Sequence, residues 1–128
     1  MTSVVKRQLF AIVDDEPFMA QLVSDMLSYA NVDVEVFPLG ADFLQSPNLL
    51  KFKTIILDLS LPDIDGFDLM DKLAADTIGV SLLLISGHSS ATINAARIYG
   101  RGIGLNMRGA LVKPFTRDDL LSCLGLTA

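Results

Sequence analysis

Four short apolar runs in this chain lead directly into side chains that can bind a metal ion or a phosphoryl group. Asp14 and Asp15 follow residues 9–13, Asp58 follows residues 54–57, Ser86 follows residues 82–85, and Lys113 follows residues 111–112. If the runs are parallel strands, these groups collect at the carboxyl edge of one sheet, where open α/β folds bind their ligands. Together they could hold a divalent cation and a phosphoryl group.

The three aspartates form the first part of this predicted site. Asp58 ends the most apolar run, so its carboxylate is costly to desolvate unless a cation meets it. Neighbouring parallel strands lie about 4.8 Å apart, so the three carboxylates repel one another if the first and third strands are neighbours. A divalent cation relieves that repulsion, and Mg²⁺ suits hard oxygen ligands. Taken alone, Asp14 and Asp15 could equally be solvated loop charges or a helix cap.

Ser86 and Lys113 form the second part of the predicted site. A hydroxyl and an ammonium could hydrogen-bond the oxygens of a phosphoryl group attached to the Asp58 carboxylate. Each has a plainer interpretation, because Ser86 could be an ordinary strand-end serine and Lys113 a surface lysine with a buried stem. The prediction therefore depends on the joint arrangement at the strand ends.

The elements that position these groups alternate between strand and helix, which predicts an α/β fold of five βα units with a parallel sheet. Val32–Phe37 alternates apolar and acidic residues and is expected at a sheet edge. Helices are expected from Pro17, with an apolar stripe of Phe18, Leu22 and Met26 beside Met19, Val23 and Leu27, and over residues 40–45. Further helices are expected after Gly66, over residues 89–99 with Ser89 or Ser90 as the cap, and over Arg117–Leu124 with Thr116 as the cap.

Composition limits the classes of protein to which the chain can belong. Its 128 residues suit one domain over residues 1–128, and 51% hydrophobic residues argue against disorder. A formal charge of −5 argues against direct binding to nucleic acid or to an anionic membrane. Cys123 is the one cysteine, which fits a reducing cytosol and predicts a cytoplasmic protein with this thiol packed in the last helix.

Four segments, in this order and spacing, resemble the receiver domain of two-component response regulators. They are Asp14-Asp15-Glu16, residues 58–66 (DLSLPDIDG), Ser86-Gly87 and Lys113-Pro114-Phe115. The resemblance covers nearly the whole chain. It implies a flavodoxin-like, doubly wound sheet with strand order 2-1-3-4-5 and a cis peptide bond between Lys113 and Pro114.

The resemblance also implies a role for each candidate residue. Asp58 would accept a phosphoryl group from a histidine kinase or a histidine phosphotransfer protein, and Ser86 and Lys113 would bind the phosphoryl oxygens. Asp15, Asp58 and the Ser60 backbone carbonyl would ligate Mg²⁺ or Mn²⁺, and Asp14 would act through a water molecule. The domain would change its surface to control an output domain or a partner, with no enzyme activity beyond self-catalysed phosphoryl transfer and slow autodephosphorylation.

Some features depart from the family or leave alternatives open. Many receivers carry an aromatic residue at the position of Ala110, so the common route of signal transmission is in question. A weaker similarity over residues 95–115 is to receivers that precede EAL-type cyclic-di-GMP phosphodiesterase domains. One alternative is a binding module that ignores phosphorylation. Another is a phosphohydrolase with an aspartate nucleophile, although such enzymes carry a second aspartate where this chain has Ser60.

Overall fold

The strands of the described part of the chain form one parallel sheet. In the computed structural model, which describes residues 7–76, 79–87 and 89–126, the strand order is β2-β1-β3-β4-β5. The strands are β1 (Gln8–Val13), β2 (Val32–Phe37), β3 (Thr54–Asp58), β4 (Ser81–Ser86) and β5 (Asn106–Val112). All four neighbouring pairs are parallel. The predicted strand order and the edge position of β2 are therefore confirmed.

Within the described residues, five helices connect and follow the strands, as the sequence predicts. They are α1 (Pro17–Leu27), α2 (Gly40–Leu44), α3 (Gly66–Asp76), α4 (Ser90–Gly102) and α5 (Arg117–Leu124), with a 3₁₀ turn at Leu49–Lys51. Pro17 is the first residue of α1, where its missing N–H costs no helical bond. The Ser89 side chain accepts a hydrogen bond from the Thr92 N–H and caps α4. Thr116 and Asp119 form a reciprocal capping box at α5.

The helices cover both faces of the sheet, because successive strand side chains point to opposite faces. Residues such as Ala11, Ile55 and Leu82 pack with the buried faces of α2, α3 and α4. Their alternating neighbours, such as Ile12 and Ile56, pack with α1 and α5 on the other face. This arrangement confirms the doubly wound fold. None of the described helices is long and apolar enough to cross a membrane.

The apolar stripe expected on α1 is wrong for two of its residues. Phe18 is 83% exposed and Leu22 is 38% exposed, whereas Ala20, Val23 and Leu27 are buried. The helix presents its i, i+3, i+7 row to the sheet, and Phe18 and Leu22 lie off that row. Hydrophobicity alone did not decide which of the two rows faced the core.

The segment between α4 and the end of β5 also differs from the prediction. The helix expected to residue 99 continues to Gly102, and the strand expected over residues 111–112 begins at Asn106. Two glycines of this segment permit close packing. A Cβ at Gly100 would lie 2.6 Å from Met107 Sδ, and one at Gly109 would lie 3.2 Å from Cys123 Sγ. The strands β4 and β5 shift register between Leu82 and Leu83, beside Gly109.

Candidate functional site

Side chains from three strand ends meet at the carboxyl edge of the sheet. Lys113 follows β5, and its Nζ lies 3.0 Å from Asp58 Oδ2, 3.4 Å from Asp14 Oδ2 and 3.3 Å from Glu16 Oε1. The Asp14 and Asp58 side chains are 0% and 1% exposed, whereas the Glu16 side chain is 63% exposed. The ammonium is therefore the counter-charge of two buried carboxylates, and its contact with Glu16 is open to solvent.

Asp58 is held by groups on both sides of its carboxylate. The Ser60 N–H donates a hydrogen bond to Oδ1 at 2.9 Å, and the Lys113 ammonium donates to Oδ2 at 3.0 Å. The backbone of the next residue is also fixed, because the Leu59 N–H donates to the Ile85 carbonyl of β4 at 3.1 Å. Asp58 thus leaves the buried strand β3 with its carboxylate in a fixed orientation at the sheet edge.

Burial of Asp14 disfavours its charged form. The pKa of Asp14 is raised from 3.8 to about 6, mainly by desolvation and to a smaller extent by the nearby Asp58 charge. The Glu16 N–H, which donates to Asp14 Oδ1 at 2.9 Å, and the Lys113 ammonium act in the opposite direction. Burying the ionised forms of Asp14 and Asp58 beside a single lysine is therefore unfavourable unless a further cation binds.

Lys113 is charged despite being largely buried. Desolvation lowers its pKa, but the hydrogen bond to Asp58 and the charges of Asp58 and Asp14 outweigh this, so the net pKa of Lys113 is raised. Its backbone N–H donates to the Ser86 carbonyl at 2.8 Å, which fixes the start of the β5–α5 loop against β4. The peptide bond from Lys113 to Pro114 is cis, which confirms the expectation from the resemblance.

Ser86 lies beside Asp58 in the sheet. In the register of β3 and β4, Asp58 pairs with Ile85, and Ser86 is the next residue of β4. The side chain of Ser86 is buried and the following residue, Gly87, is exposed. This places the serine at the end of the strand that separates the Asp58 strand from the Lys113 strand.

The carboxylates fit a divalent cation. Asp14, Glu16 and Asp58 each offer a carboxylate oxygen, and these atoms lie within 4.8 Å of one another. Hard oxygen ligands of this kind suit Mg²⁺ and Mn²⁺. Among the described residues, Asp15 is half-buried and is not a member of this group. Sequence reasoning gave Glu16 no role, although its position directly after Asp14 and Asp15 was a signal.

A groove lies beside Ala110 and is lined by residues of α4, β5 and α5. It has a volume of about 640 Å³, and its lining includes Ile93, Arg97, Ala110, Val112 and Cys123. Burial raises the pKa of the Cys123 thiol, so this residue stays protonated and apolar at neutral pH. The small side chain of Ala110 thus adjoins open space where many receivers carry an aromatic ring.

Comparisons with known proteins agree on one family. The family model described as response regulator receiver domain matches residues 10–124. The cell cycle response regulator CtrA of Brucella ovis is 26% identical over 111 residues, which are 87% of this chain and 46% of that protein. The chain therefore spans about half the length of the curated relatives it matches.

Solved structures give the same result for the fold. A response regulator from Colwellia psychrerythraea is 32% identical, with a TM-score of 0.80 over 94% of this chain and 95% of that one. The receiver domain of a LuxO-type repressor from Vibrio parahaemolyticus is 26% identical, with a TM-score of 0.80 over 94% of this chain and 88% of that one.

Proposed function

Because the chain belongs to the response regulator receiver domain family, we propose that Asp58 accepts a phosphoryl group from a phosphohistidine of a sensor histidine kinase or a histidine phosphotransfer protein. Phosphorylation by a kinase is the general function of this family. The observation that carries the assignment to Asp58 is its buried carboxylate, 3.0 Å from the Lys113 ammonium at the carboxyl edge of the sheet.

The proposed reaction is a direct transfer. A carboxylate oxygen of Asp58 attacks phosphorus, the P–N bond to the donor imidazole breaks with its electron pair, and the imidazole takes up a proton. The product is an acyl phosphate on Asp58. In slow autodephosphorylation, water attacks phosphorus, inorganic phosphate leaves and the carboxylate is restored. Positioning and charge neutralisation dominate catalysis in such transfers.

Each remaining residue has a role in that transfer. In the free protein the Lys113 ammonium donates a hydrogen bond to Asp58. Once the acyl phosphate forms, the ammonium would donate to the phosphoryl oxygens instead. The Ser86 hydroxyl would hydrogen-bond another phosphoryl oxygen. Asp15, Asp58 and the Ser60 backbone carbonyl would hold Mg²⁺ or Mn²⁺, and Asp14 would act through water. The metal would neutralise the charge of the phosphoryl oxygens.

The proposed partners follow from this role. The phosphodonor is a sensor histidine kinase or a phosphotransfer protein, and the recipient of the signal is an output domain or a downstream protein. We propose one receiver domain over residues 1–128, in the cytoplasm, without direct contact to nucleic acid. With Ala110 beside the groove, the change of surface follows a route other than burial of an aromatic ring at this position.

Acetyl phosphate with Mg²⁺ tests the proposal directly. Intact mass should increase by one phosphoryl group in the wild type and in Asp65→Asn, and should not change in Asp58→Asn. Asp65 is the matched control because its carboxylate accepts the Phe67 N–H at 2.8 Å at the start of α3 and an amide oxygen can do the same. A mass gain that persists in Asp58→Asn, or no gain in the wild type, would refute the proposal. The second result would favour the phosphorylation-independent binding module.

A further inference from the structure

The helix α2 is capped by a residue from a distant part of the chain. The helix begins at Gly40 after Leu39, whose side chain offers no hydrogen-bond acceptor. The Gly40 N–H donates to Asp63 Oδ1 at 3.0 Å and the Ala41 N–H donates to Asp63 Oδ2 at 2.9 Å. Asp63 belongs to the loop between β3 and α3, so both oxygens of one loop carboxylate bind the first turn of α2.

Apolar packing joins the same two segments. Gly40 is buried, and a Cβ at this position would lie 2.2 Å from Ile64 Cγ2 and 3.1 Å from Leu69 Cδ1. Glycine therefore allows the start of α2 to rest directly on the residue that follows Asp63. The two N–H groups also hold the pKa of Asp63 below its ordinary value, which favours the ionised carboxylate that accepts both hydrogen bonds. We refer to these hydrogen bonds and this packing as the Asp63–α2 contact.

The Asp63–α2 contact fixes one end of a very short segment. The other end is fixed where the Ser60 N–H donates to Asp58 Oδ1 at 2.9 Å. Between Ser60 and Asp63 lie Leu61, which is buried, and Pro62, whose ring restricts its φ angle. The direction of the Ser60 backbone carbonyl therefore depends on two anchors, one on Asp58 and one on α2.

We propose that Asp63 is a positioning residue, whose contact with α2 sets the Ser60 backbone carbonyl in place for the divalent cation. The inference rests on the proposed function, in which this carbonyl is a metal ligand. Asp63 itself is exposed and binds the backbone of α2, so it acts through the loop and not as a ligand.

Metal affinity measured with Mn²⁺ separates this role from a general effect on stability. The EPR signal of free Mn²⁺ gives the Kd for the wild type, Asp63→Ala, Asp63→Asn and Arg108→Ala, and thermal unfolding of each gives its Tm. Arg108 is the matched control because its Nη2 donates to the Leu124 carbonyl at 2.8 Å at the end of α5, so it too joins a side chain to the backbone of a helix end, but from within β5 and not from the strand end that forms the site. Mutation of a residue that supports a metal ligand without binding the metal itself typically weakens metal affinity by about 10-fold to 100-fold.

The variants should differ from the wild type in their affinity for Mn²⁺ in a defined order. Asp63→Ala should raise the Kd for Mn²⁺ about tenfold, and Asp63→Asn should have a smaller effect because its amide keeps one acceptor oxygen. Arg108→Ala should lower the Tm and leave the Kd unchanged. In phosphorylation by acetyl phosphate, Asp63→Ala should need correspondingly more Mg²⁺ for half-maximal rate and should reach the wild-type rate at saturation.

Two results would overturn the inference while leaving the proposed function intact. They are a wild-type Kd in Asp63→Ala, and an equal loss of affinity in Arg108→Ala and Asp63→Ala. If the wild type itself binds no Mn²⁺, the metal role in the proposed function fails and this inference fails with it. Should Asp63→Ala not fold, Asp63→Asn decides the question, because it retains part of the contact.

Discussion

Lys113 Nζ lies 3.0 Å from Asp58 Oδ2, although the two residues are 55 positions apart and the strand β4 separates β3 from β5. The reach is set by the backbone, because the Lys113 N–H is bound to the Ser86 carbonyl at the end of β4. From there the side chain extends across β4 to the buried carboxylates of Asp58 and Asp14. The Lys113 ammonium thus lies among carboxylate oxygens that also suit a divalent metal ion. A bound metal ion and the ammonium must therefore share the same carboxylates.

Replacing Lys113 with methionine should lower the stability of the metal-free protein and strengthen the binding of Mg²⁺. Loss of one partner from a buried ion pair should cost the metal-free protein about 3 kcal/mol of stability. Mg²⁺ should restore part of this loss and bind more tightly, because the competing ammonium is gone. Phosphorylation by acetyl phosphate should nevertheless fall about 100-fold, since a charged donor to the phosphoryl oxygens is lost.

Urea unfolding with and without Mg²⁺ measures the stability effect, and intact mass against time measures phosphorylation. The control is Lys51→Met, which removes an exposed lysine from the 3₁₀ turn and should change neither quantity. If Mg²⁺ stabilises Lys113→Met no more than it stabilises the wild type, the ammonium and the metal ion do not share the carboxylates.

Asp14→Asn should make the metal-free protein more stable at neutral pH. The pKa of Asp14 is raised from 3.8 to about 6 in the folded protein, mainly by burial, so ionisation of Asp14 opposes folding once the pH exceeds about 4. A shift of this size corresponds to as much as about 3 kcal/mol at pH values above the folded-state pKa. The amide avoids this cost, and the gap between the two proteins should close as the pH falls from 6 towards 4.

Urea unfolding of both proteins across this pH range, without divalent cations, tests that prediction. Saturating Mg²⁺ should reduce or reverse the advantage of the variant, because the cation stabilises the ionised aspartate. A wild type that gains stability relative to Asp14→Asn as the pH rises through this range would have the opposite sign and would refute the argument.

The sheet and its edge were predictable because the sequence pattern and the topology are tightly linked. Continuous apolar runs mark strands covered on both faces, and parallel strands bring their carboxyl ends together. The meeting of Asp14, Asp58 and Lys113 follows from these two facts. The strand order and the cis peptide bond came from the resemblance to the receiver family, since composition and periodicity do not determine them.

The remaining features depend on side-chain packing between distant segments, which periodicity does not encode. Phe18 and Leu22 matched a helical stripe, yet a neighbouring row of α1 faces the sheet. Glu16 and Asp63 make their side-chain contacts with residues 97 and 22 or 23 positions away, so local sequence did not identify these partners. The weaker similarity to receivers that precede EAL-type domains stays a prediction.

Substitution of two glycines by alanine should have opposite effects on stability. Gly40→Ala places a Cβ 2.2 Å from Ile64 Cγ2, so either Ile64 or the start of α2 must move. Overpacking of this kind typically costs about 1–3 kcal/mol. Gly102→Ala, at the end of α4, meets nothing within 4 Å and should stabilise the protein by about 0.4–1 kcal/mol through the unfolded chain. Urea unfolding of both variants checks the sign, and a neutral Gly40→Ala would show that the contact is loose.

The link between α3 and α4 predicts a change in tyrosine titration. The Tyr99 hydroxyl donates to Asp71 Oδ1 at 2.5 Å, and this hydrogen bond is the main reason that the pKa of Tyr99 is raised above 10.0. Asp71→Ala should therefore lower the pKa of Tyr99, and Asp68→Ala, which removes a more distant charge, should lower it less. The chain has two tyrosines and no tryptophan, so ultraviolet absorbance in a Tyr29→Phe background reports Tyr99 alone.

The same hydrogen bond determines whether stability rises or falls with alkaline pH. The folded protein holds the Tyr99 proton more tightly than the unfolded chain, so unfolding releases protons and stability falls as the pH rises above 10.0. In Asp71→Ala this alkaline loss should be smaller, whereas at neutral pH, where the phenol is protonated in both states, titration of Tyr99 contributes nothing. Equal alkaline losses in the wild type and Asp71→Ala would mean that the hydrogen bond does not persist in solution, and that α4 is held to α3 by the Phe67–Tyr99 ring contact without it.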